Sequence, residues 1–551
     1  MSEGASDRLF DPQEARLYRE HGWWRDKTLI AEFGEVAAAN PDKVAIVSDF
    51  AAGGREVLSF RQLARLVERF AGGLLELGVG PGDVVSLQLP NWWQFTAFSL
   101  AIMRIGGVVN PIIPILRRRE VGFILERAES KVCVVPATFR GFAHGEMLAE
   151  LAQAIPTLEH AFAIGPGVPN GVGDFAEHFI ERRWEKEHPA DELDALTPDA
   201  DSLAQIQFTS GTTGEPKGVM HTHNTLYAGM RALPEMQRLT NDDVLLMAST
   251  MAHQTGFLYG LLLPMSMGMK VVYQDVWAGD RMLDLVQDEG VNWTMGATPF
   301  VIDAVEAQTR NPRDVSTLHQ FTCAGAPVPP PIVEAAVTVL GTRLVAAWGM
   351  TENGAVTYVT ADDPPDFSSR SDGRPAPWMQ LRIVGEAGDE LPRGEVGRLV
   401  ARGASQCVGY FRRPDLYRAA LTADGWFDTG DLARMDESGA IRISGRSKDI
   451  VIRGGENIPV VEVEAALYRL NSVREVAVIA LPDERMGERA CAVIVPNGEP
   501  PTLEDIQAHL EKDGMSRRFW PERLEVVAEM PKTPSGKIQK FRLRESYGGA
   551  R

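Results

Sequence analysis

The stretch "TSGTTGEPKG", Thr209 to Gly218, restricts the fold and the chemistry more than any other segment of the sequence. It combines four hydroxyl side chains, three glycines and Lys217, and it lies between the strand-like run "QIQFT" and the helical pattern "NTLYAGMR". Backbone N–H groups of a glycine-rich turn bind anions, and hydroxyl and ammonium groups add further donors. The segment therefore predicts a phosphate-binding loop between a strand and a helix. Its spacing differs from a Walker A loop, in which four residues separate the first glycine from Gly-Lys-Ser/Thr.

Alternating strand and helix patterns on both sides of this loop predict an α/β fold. "DKVAIV" has the composition of a strand, and "SFRQLARLVERFAGGLLELG" has the apolar spacing of a helix that begins after Ser59 and ends at Gly78. This alternation favours layers of mostly parallel strands covered by helices.

The pattern of predicted secondary structure changes twice toward the C-terminus. Past Val384, short strands with glycine turns predict a small β unit, and from about Gly445 a compact α+β unit follows. We therefore expect a large N-terminal domain of layered sheets and helices, residues 1–446, followed by a small C-terminal domain, residues 447–551.

Composition excludes several classes of protein. The chain of 551 residues is 44% hydrophobic and 24% charged, which is typical of a globular protein. Its net charge of −19 argues against a nucleic-acid partner, since phosphate backbones attract basic surfaces. The four cysteines lie far apart and form no CxxC pair, so neither a disulfide framework nor a zinc site is predicted and a reducing compartment fits.

No segment of the sequence has the pattern of a membrane span or a signal peptide. The most apolar stretch, "FTAFSLAIMRIGGVVNPIIPIL", is interrupted by Arg104, glycines and prolines, so we expect a buried helix, a turn and a strand. The first residues are charged and contain no apolar h-region. A cytoplasmic location is therefore the expectation.

Five further motifs follow the loop in order. They are "AGAPVP" (Ala324–Pro329), "WGMTE" (Trp348–Glu352), "FDTGD" (Phe427–Asp431), "GRSKDIVIRGGENI" (Gly445–Ile458) and "PKTPSGKIQK" (Pro531–Lys540). With the loop, they resemble the AMP-forming acyl-activating enzymes, which include acyl-CoA synthetases, aryl-acid ligases and luciferases. The resemblance covers most of the chain. It implies that a carboxylic acid attacks the α-phosphate of ATP to give an acyl-adenylate and pyrophosphate, and that a thiol then takes the acyl group.

The resemblance implies a role for each motif in ATP binding, with Mg²⁺ as cofactor. Glu352 would hold the Mg²⁺ ion, and Thr351 would donate its hydroxyl to the α-phosphate. The implied nucleotide-binding residues are Thr209, Ser210, Gly211, Thr212, Thr213, Gly214, Lys217, Gly325, Ala326, Pro327, Trp348, Gly349, Met350, Thr351, Asp431 and Arg446. Taken alone, Glu352 is also typical of a helix start, Trp348 of a core, and Asp431, after "DTG", of a tight turn. Asp431 and Arg446 would reach the ribose, since a carboxylate accepts two hydrogen bonds.

Lys537 is the catalytic lysine that the resemblance implies. Without that resemblance, the composition of the stretch Lys532 to Arg544 favours a solvated basic tail. The small domain would be mobile, with a hinge at Lys448, and its rotation would bring Arg453, Gly454 and Gly455 to the path of coenzyme A. The pair Gly454-Gly455 also fits a simple turn. Basic residues near Lys537 would attract the anionic coenzyme A.

The expected acyl site contains small and apolar residues. They are His253, Gln254, Gly256, Gly325 and Met350. The motifs that contain these residues have no lysine or arginine that could pair with a second carboxylate. An apolar monocarboxylic acid is therefore predicted as the small-molecule substrate. His253 also fits a histidine satisfied by packing.

The start "YREHGWWRDKT" (Tyr18–Thr28) resembles two branches of the family. One makes CoA thioesters of cyclic or short-to-medium aliphatic acids, such as cyclohexanecarboxylate. The other activates dihydroxybenzoate or salicylate for a carrier protein and usually has asparagine where this chain has Gln254. This difference favours the CoA ligase over the aryl-acid ligase. A non-catalytic nucleotide-binding homologue is the third alternative, but Lys537, Glu352 and Asp431 are all present. The sequence leaves the oligomeric state open, a homodimer included.

Overall fold

The structure is a computed structural model that describes residues 10–209, 216–325, 328–446, 449, 451–453, 456–483, 485–533 and 536–548. Ten of the predicted site residues lie outside these ranges. They are Ser210, Gly211, Thr212, Thr213, Gly214, Ala326, Pro327, Lys448, Gly454 and Gly455.

Helices and strands alternate along most of the described chain. The α-helices are α1 (Pro12–Glu20), α2 (Leu29–Ala39), α3 (Phe60–Glu76), α4 (Trp93–Arg104), α5 (Arg118–Ala128), α6 (His144–Ala154), α7 (Ala190–Asp194), α8 (His223–Gln237), α9 (Leu263–Met267), α10 (Gly279–Glu289), α11 (Thr298–Arg310), α12 (Pro330–Leu340), α13 (Pro414–Ala419), α14 (Val460–Leu467), α15 (Leu503–Lys512) and α16 (Lys540–Tyr547). Short 3₁₀ turns cover Trp184–Lys186, Phe367–Ser369 and Arg517–Phe519, and π-helical segments cover Ala176–Glu181 and Gly256–Leu262.

The strands form four sheets. They are β1 (Val44–Asp49), β2 (Arg55–Ser59), β3 (Val84–Leu87), β4 (Val108–Pro111), β5 (Val132–Pro136), β6 (His160–Ile164), β7 (Gly173–Asp174), β8 (Leu203–Thr209), β9 (Lys217–Thr222), β10 (Val244–Met247), β11 (Lys270–Gln274), β12 (Trp293–Gly296), β13 (Gln320–Ala324), β14 (Arg343–Met350), β15 (Gly354–Tyr358), β16 (Arg374–Pro375), β17 (Met379–Val384), β18 (Gly397–Gly403), β19 (Gly409–Tyr410), β20 (Phe427–Met435), β21 (Ile441–Arg446), β22 (Val451–Arg453), β23 (Glu456–Ile458), β24 (Val473–Asp483), β25 (Gly487–Pro496) and β26 (Arg523–Val526).

Two large sheets carry the N-terminal part of the chain. Their strand orders are β16-β15-β14-β13-β12-β10-β11-β1-β2 and β19-β9-β8-β4-β3-β5-β6-β7. The inner strands are parallel, and antiparallel pairs occur toward the edges, such as β14 with β15 and β8 with β9. A smaller antiparallel sheet, β17-β18-β20-β21, follows in the chain. The predicted α/β fold with mostly parallel sheets and a small β unit is confirmed.

The helix α3 shows how local sequence sets these elements. Ser59 accepts a hydrogen bond from the backbone N–H of Gln62, and the Gln62 side chain accepts one in return, which is a capping box. The chain leaves the helix through Gly78, whose φ of 70° is easy only for glycine. The apolar face of α3 packs against α4, where the rings of Phe70 and Phe98 are 5.8 Å apart. Both predicted helix ends are confirmed.

The most apolar stretch of the sequence forms the buried helix α4, a turn at Gly106 and the strand β4, as predicted. Every residue of α4 is buried. Among the described residues, no helix combines the length and the apolar character needed to cross a bilayer.

The C-terminal part of the chain has its own cores. One hydrophobic cluster draws its residues from 451–524 and a second from 477–547, on the two faces of the sheet β23-β22-β25-β24. The predicted boundary at residue 446 stays a prediction.

Ion pairs connect this part to helix α11 of the larger part. The Arg474 guanidinium lies 3.2 Å from Asp303 and 3.0 Å from Glu306. Close by, a Cβ placed on Gly536 would lie 3.6 Å from the Phe300 ring. The segment just before Lys537 therefore rests against the beginning of α11.

Candidate active site

The carboxyl ends of β13 and β14 bring the predicted adenine and phosphate residues together. These strands are parallel and adjacent, with Ala324 opposite Ala347, so the residues that follow them meet at one edge of the sheet. Gly325 comes directly after β13 and adopts φ 92°, which favours glycine. Trp348, Gly349 and Met350 end β14, and Thr351 and Glu352 occupy the turn before β15. Glu352 therefore begins no helix.

Asp431 is held by two side chains from different elements. Its Oδ2 accepts a hydrogen bond from the indole Nε1 of Trp348 at 2.9 Å, and its Oδ1 accepts one from Nε of Arg446 at 3.0 Å. Asp431 is directly opposite Arg446 in the β20–β21 pair. The small sheet thus delivers a buried carboxylate and an arginine to the end of β14. Trp348 is also buried, so it is both a core residue and a member of the site.

The predicted tight turn at Asp431 is wrong. "FDTGD" lies inside the strand β20. Asp428 and Leu432 are four residues apart, yet their partners on β18, Val400 and Arg398, are two apart, so the strand bulges between them. Gly430 takes φ 72° within this bulge. The composition of "FDTGD" suggested a change of chain direction. The bulge provides that change without ending β20.

Glu352 and Lys217 approach each other around Tyr410. The Tyr410 hydroxyl donates to Glu352 Oε1 at 2.8 Å, and Lys217 Nζ lies 4.9 Å from the centroid of the Tyr410 ring. Burial raises the pKa of Glu352, and the hydrogen bond from Tyr410 opposes that shift. Lys217 begins β9 opposite Thr209, the last residue of β8, so the predicted phosphate loop leaves and re-enters the sheet beside Glu352.

A buried histidine supports the turn that carries Thr351 and Glu352. His221 Nε2 lies 2.8 Å from the carbonyl oxygen of Thr351, and His221 Nδ1 lies 3.1 Å from Thr225 Oγ1. Burial lowers the pKa of His221 to about 4, so the imidazole is neutral at pH 7. A neutral ring donates from one nitrogen only, which fits the carbonyl as acceptor.

Lys537 reaches the same region from the C-terminal part. Burial and the nearby charge of Arg446 lower the pKa of Lys537 to about 8, and the Asp431 carboxylate opposes that shift. The charge of Lys537 also acts on His253: burial first, and then Lys537, lower the pKa of His253 to about 4. Lys537 is therefore within electrostatic range of Arg446, Asp431 and His253.

Two side-chain amides hold the loop that carries His253 and Gln254. Asn91 donates to the carbonyl of Ser249 at 2.9 Å and accepts from the N–H of Met251 at 2.8 Å. Gln207 of β8 donates to the carbonyl of Ala252 at 2.9 Å. The loop is thereby tied to both large sheets.

Gly256 has no room for a side chain. A Cβ at this position would lie 2.2 Å from the carbonyl oxygen of Thr250. Gln254 is 3% exposed, and neither its amide nitrogen nor its amide oxygen has a partner within the described residues. The predicted acyl residues His253, Gln254 and Gly256 thus share one mostly buried segment, and His253 lies near Lys537.

Arg453, predicted on the path of coenzyme A, lies in the C-terminal part. Its guanidinium donates to Glu522 Oε1 at 2.6 Å and to the carbonyl of Arg518 at 3.0 Å. It lines an open cavity of about 500 Å³ together with Arg517, Arg518, Phe519 and Trp520.

The sequence of the chain matches one enzyme family over both of its parts. Residues 33–411 match the AMP-binding enzyme family, and residues 462–537 match the AMP-binding enzyme C-terminal domain. The chain belongs to the AMP-binding enzyme family. The resemblance drawn from the motifs is confirmed.

Relatives named for an aliphatic acid and for an aromatic acid are both similar over nearly the whole chain. The medium-chain fatty-acid–CoA ligase of Escherichia coli (strain K12) is 34% identical over 97% of this chain and 93% of its own length. The salicylyl-CoA synthase / salicylate adenylyltransferase of a Streptomyces species is 34% identical over 98% and 97%, respectively.

A solved AMP-binding enzyme shares the fold at 27% identity. ATP-bound MatB from Rhodopseudomonas palustris superposes with a TM-score of 0.83, covering 95% of this chain and 99% of MatB. The apo form of MatB superposes with a TM-score of 0.74 at the same coverage. This chain is therefore more similar in overall arrangement to the ATP-bound form.

The donor set of this AMP-binding enzyme fits a cation shared with a nucleotide. Within the described ranges, no group of three or more histidine, cysteine or carboxylate side chains forms a metal cage. Mg²⁺ at nucleotide sites commonly takes one or two carboxylates and completes its shell with phosphate oxygens and water. Glu352, a single carboxylate within electrostatic range of Lys217, suits that mode of binding.

Three residues that shape the site were missed by the sequence analysis: Tyr410, His221 and Asn91. His221 belongs to the "MHTHN" run directly after the phosphate loop, so its position was a usable signal. Tyr410 and Asn91 act through contacts distant in sequence, and no local pattern marks them.

Proposed function

We propose that this AMP-binding enzyme is an AMP-forming acid–thiol ligase that activates an apolar monocarboxylic acid with ATP and transfers the acyl group to coenzyme A. The convergence of Lys537 with Asp431, Arg446 and His253 carries the proposal. It puts one cation where the wall of the acyl pocket meets the proposed ribose ligands. The similarity to a medium-chain fatty-acid–CoA ligase over 97% of the chain supports it.

The first step joins the acid to the α-phosphate. A carboxylate oxygen attacks the α-phosphorus, the bond to the β-phosphate oxygen breaks, and pyrophosphate leaves. Lys537 lies between the two anions and stabilises the charge that develops, and Thr351 donates to the α-phosphate. Asp431 and Arg446 hold the ribose, and Gly325 and Trp348 hold the adenine. Lys217 and the phosphate loop bind the β- and γ-phosphates.

Mg²⁺ is proposed at Glu352, where it would neutralise charge on the departing pyrophosphate. The carboxylate needs to be ionised for this task, although burial raises its pKa. Two cationic side chains, Lys217 and Arg446, oppose that shift and favour the ionised form.

The second step transfers the acyl group to a thiol. The sulfur of coenzyme A attacks the acyl carbon, the bond to the AMP oxygen breaks, and AMP leaves. We propose that the C-terminal domain rotates about Lys448 between the steps, which carries Lys537 away and brings Arg453, Gly454 and Gly455 to the acyl-adenylate. The higher similarity to ATP-bound than to apo MatB supports the assignment of the present arrangement to the first step.

Coenzyme A is favoured over a carrier-protein thiol by the cavity beside Arg453. Three arginines and two aromatic rings line this cavity of about 500 Å³. Coenzyme A carries phosphates and an adenine, which match cations and rings. The aryl-acid ligase that loads a carrier protein remains the second candidate, because the salicyl-AMP ligase / salicyl-S-ArCP synthetase of Mycobacterium tuberculosis is 29% identical over 98% of this chain. A cytoplasmic location is proposed because all four cysteines are free thiols.

Turnover with ATP and a monocarboxylic acid is expected to release AMP and pyrophosphate. The acid approaches the α-phosphate side of the site, while the γ-phosphate lies at the phosphate loop. Chromatography of the nucleotide products, with and without coenzyme A, distinguishes the outcomes. ADP with orthophosphate would contradict the mechanism, and nucleotide binding without AMP release in the presence of any acid would favour a non-catalytic homologue.

Acids with a ring or chain of about five to ten carbons are expected to be better substrates than acetate or long fatty acids. The small and apolar residues predicted around the acyl group, and the resemblance of the start of the chain to ligases of cyclic or short-to-medium aliphatic acids, motivate this range. Each buried methylene contributes about 0.8 kcal/mol, so kcat/KM should change by roughly fourfold per carbon until the pocket is filled. A panel of straight-chain acids from acetate to palmitate measures this. Equal kcat/KM for acetate and octanoate would contradict the prediction.

A further inference from the structure

Tyr410 lies between the two charged groups on which ATP binding depends in the proposed function. Its side chain is 3% exposed. The hydroxyl donates to Glu352 Oε1 at 2.8 Å, while the face of the ring carries the Lys217 ammonium 4.9 Å from its centroid. One planar side chain therefore contacts the carboxylate with its edge and the cation with its face.

The backbone around Tyr410 fixes the ring in this position. The N–H of Cys407 donates to the carbonyl of Glu352 at 2.6 Å, and the N–H of Phe411 donates to the carbonyl of Gly218 at 2.7 Å. The strand β19 also pairs with β9, with Tyr410 opposite Val219. The segment is thus bonded to the Glu352 turn at one end and to the strand of Lys217 at the other.

The ring of Tyr417 restricts Tyr410 from the side. The two ring centroids are 5.6 Å apart at an angle of 87°. The Tyr417 hydroxyl donates to the carbonyl of Cys407 at 2.9 Å and accepts from Gln406 Nε2 at 2.9 Å, so its hydrogen bonds lie away from the Glu352 carboxylate and the Lys217 ammonium.

The charges of Lys217 and Glu352 attract each other, yet these two described residues form no direct ion pair. A direct pair would occupy the ammonium that the γ-phosphate needs and the carboxylate that the cation needs. The Tyr410 ring lies between the two groups and keeps them from forming this direct ion pair. At the same time, its hydroxyl engages one carboxylate oxygen and so fixes the direction of the other.

We propose that Tyr410 is a positioning residue for adenylation: it spaces Lys217 from Glu352, so that the lysine stays directed at the triphosphate and the carboxylate at its divalent cation. This inference rests on the proposed function. It concerns a residue that touches neither the acid nor the α-phosphate.

Two substitutions separate the hydroxyl from the ring. Tyr410→Phe keeps the ring and its cation–π contact but removes the hydrogen bond to Glu352. Loss of a hydrogen bond to a charged group should weaken cation binding about tenfold. Tyr410→Leu removes both contacts and lets Lys217 reach Glu352, so metal-free ATP should also bind about fivefold more weakly. Tyr417→Phe is the matched control, because it removes a hydroxyl from the same cluster.

Binding measurements test the proposal apart from turnover. Mn²⁺ serves as the probe, its binding to the enzyme–ATP complex followed by electron paramagnetic resonance. Calorimetry gives the affinities for metal-free ATP and for AMP. Tyr410→Phe is expected to weaken Mn²⁺ binding with ATP and AMP affinities unchanged, and Tyr410→Leu to weaken Mn²⁺ and ATP binding but not AMP binding. Tyr417→Phe should match the wild type in all three.

Two outcomes would overturn the inference. Unchanged Mn²⁺ affinity in Tyr410→Phe would show that the hydroxyl does not orient Glu352, and an equal loss of AMP affinity would show general damage to the site. If Tyr410→Leu does not fold, Tyr410→Phe decides. Wild-type product analysis run in parallel separates the two levels: ADP as its product would overturn the proposed function instead.

Discussion

Replacement of Lys537 by alanine is expected to lower the rate of acyl-adenylate formation by about 10²–10³-fold, the effect of losing one preorganised donor from a site of developing negative charge. Conversion of synthetic acyl-adenylate and coenzyme A to the thioester should persist, because the rotated C-terminal domain no longer places Lys537 there. Pyrophosphate exchange and thioester formation, assayed separately, measure the two steps.

The matched control is Arg542→Ala, which removes an exposed cation from the same basic segment. It should leave adenylation within about twofold of the wild type, because exposed charges far from the reacting atoms contribute little. Equal loss of both half-reactions in Lys537→Ala would contradict domain rotation as proposed.

The pKa of Lys537, about 8, adds a signature in pH. The ammonium is present below this pKa and lost above it, so kcat/KM for adenylation should fall as the pH rises through about 8. Lys537→Arg, which stays charged, should remove that limb even if its rate is low. The thioester step from synthetic adenylate should not show the limb.

Gly349→Ala is expected to reduce adenylation by about 10²-fold or more, the loss that follows when catalytic groups move by roughly 1 Å. A Cβ on Gly349 would lie 2.0 Å from the carbonyl oxygen of Gly354 and 2.5 Å from Cα of Ala355. These are backbone atoms, so β14 and β15 must separate. The turn between the two strands carries Thr351 and Glu352, which would move with them.

The control for this substitution is Gly34→Ala in helix α2, where an added Cβ meets nothing within 4 Å. It should raise stability by up to about 1 kcal/mol, since alanine is the better helix former. Thermal unfolding and pyrophosphate exchange of both variants provide the comparison. Wild-type exchange by a folded Gly349→Ala protein would disprove the role of this hairpin.

The parts of the fold that sequence predicted well have local causes. Apolar spacing, the Ser59 cap and the Gly78 end define α3, and the interruptions at Arg104 and Gly106 end the buried helix α4. Each of these depends on residues within a few positions of one another, so the sequence displays them directly.

The site residues that belong to sequence motifs could be predicted. Glu352 and Asp431 were found because their neighbours in sequence mark them, and their roles remain proposals. The hydrogen bond from Tyr410 to Glu352 joins residues 58 apart, and the one from Trp348 to Asp431 joins residues 83 apart. Partners so distant follow only from sheet order. The same reason explains the wrong turn at Asp431, because pairing with β18 converts a turn-like composition into a bulge.

If the C-terminal domain rotates as proposed, the contact of Arg474 with Asp303 and Glu306 has to break in each cycle. These side chains are 38%, 34% and 46% exposed, and ion pairs of this kind contribute about 0.2–1 kcal/mol each. Such a contact biases a resting protein without locking it. In the proposed cycle, the dwell time in the docked orientation would therefore depend largely on which ligands occupy the site, and no separate release signal would be required for each turnover.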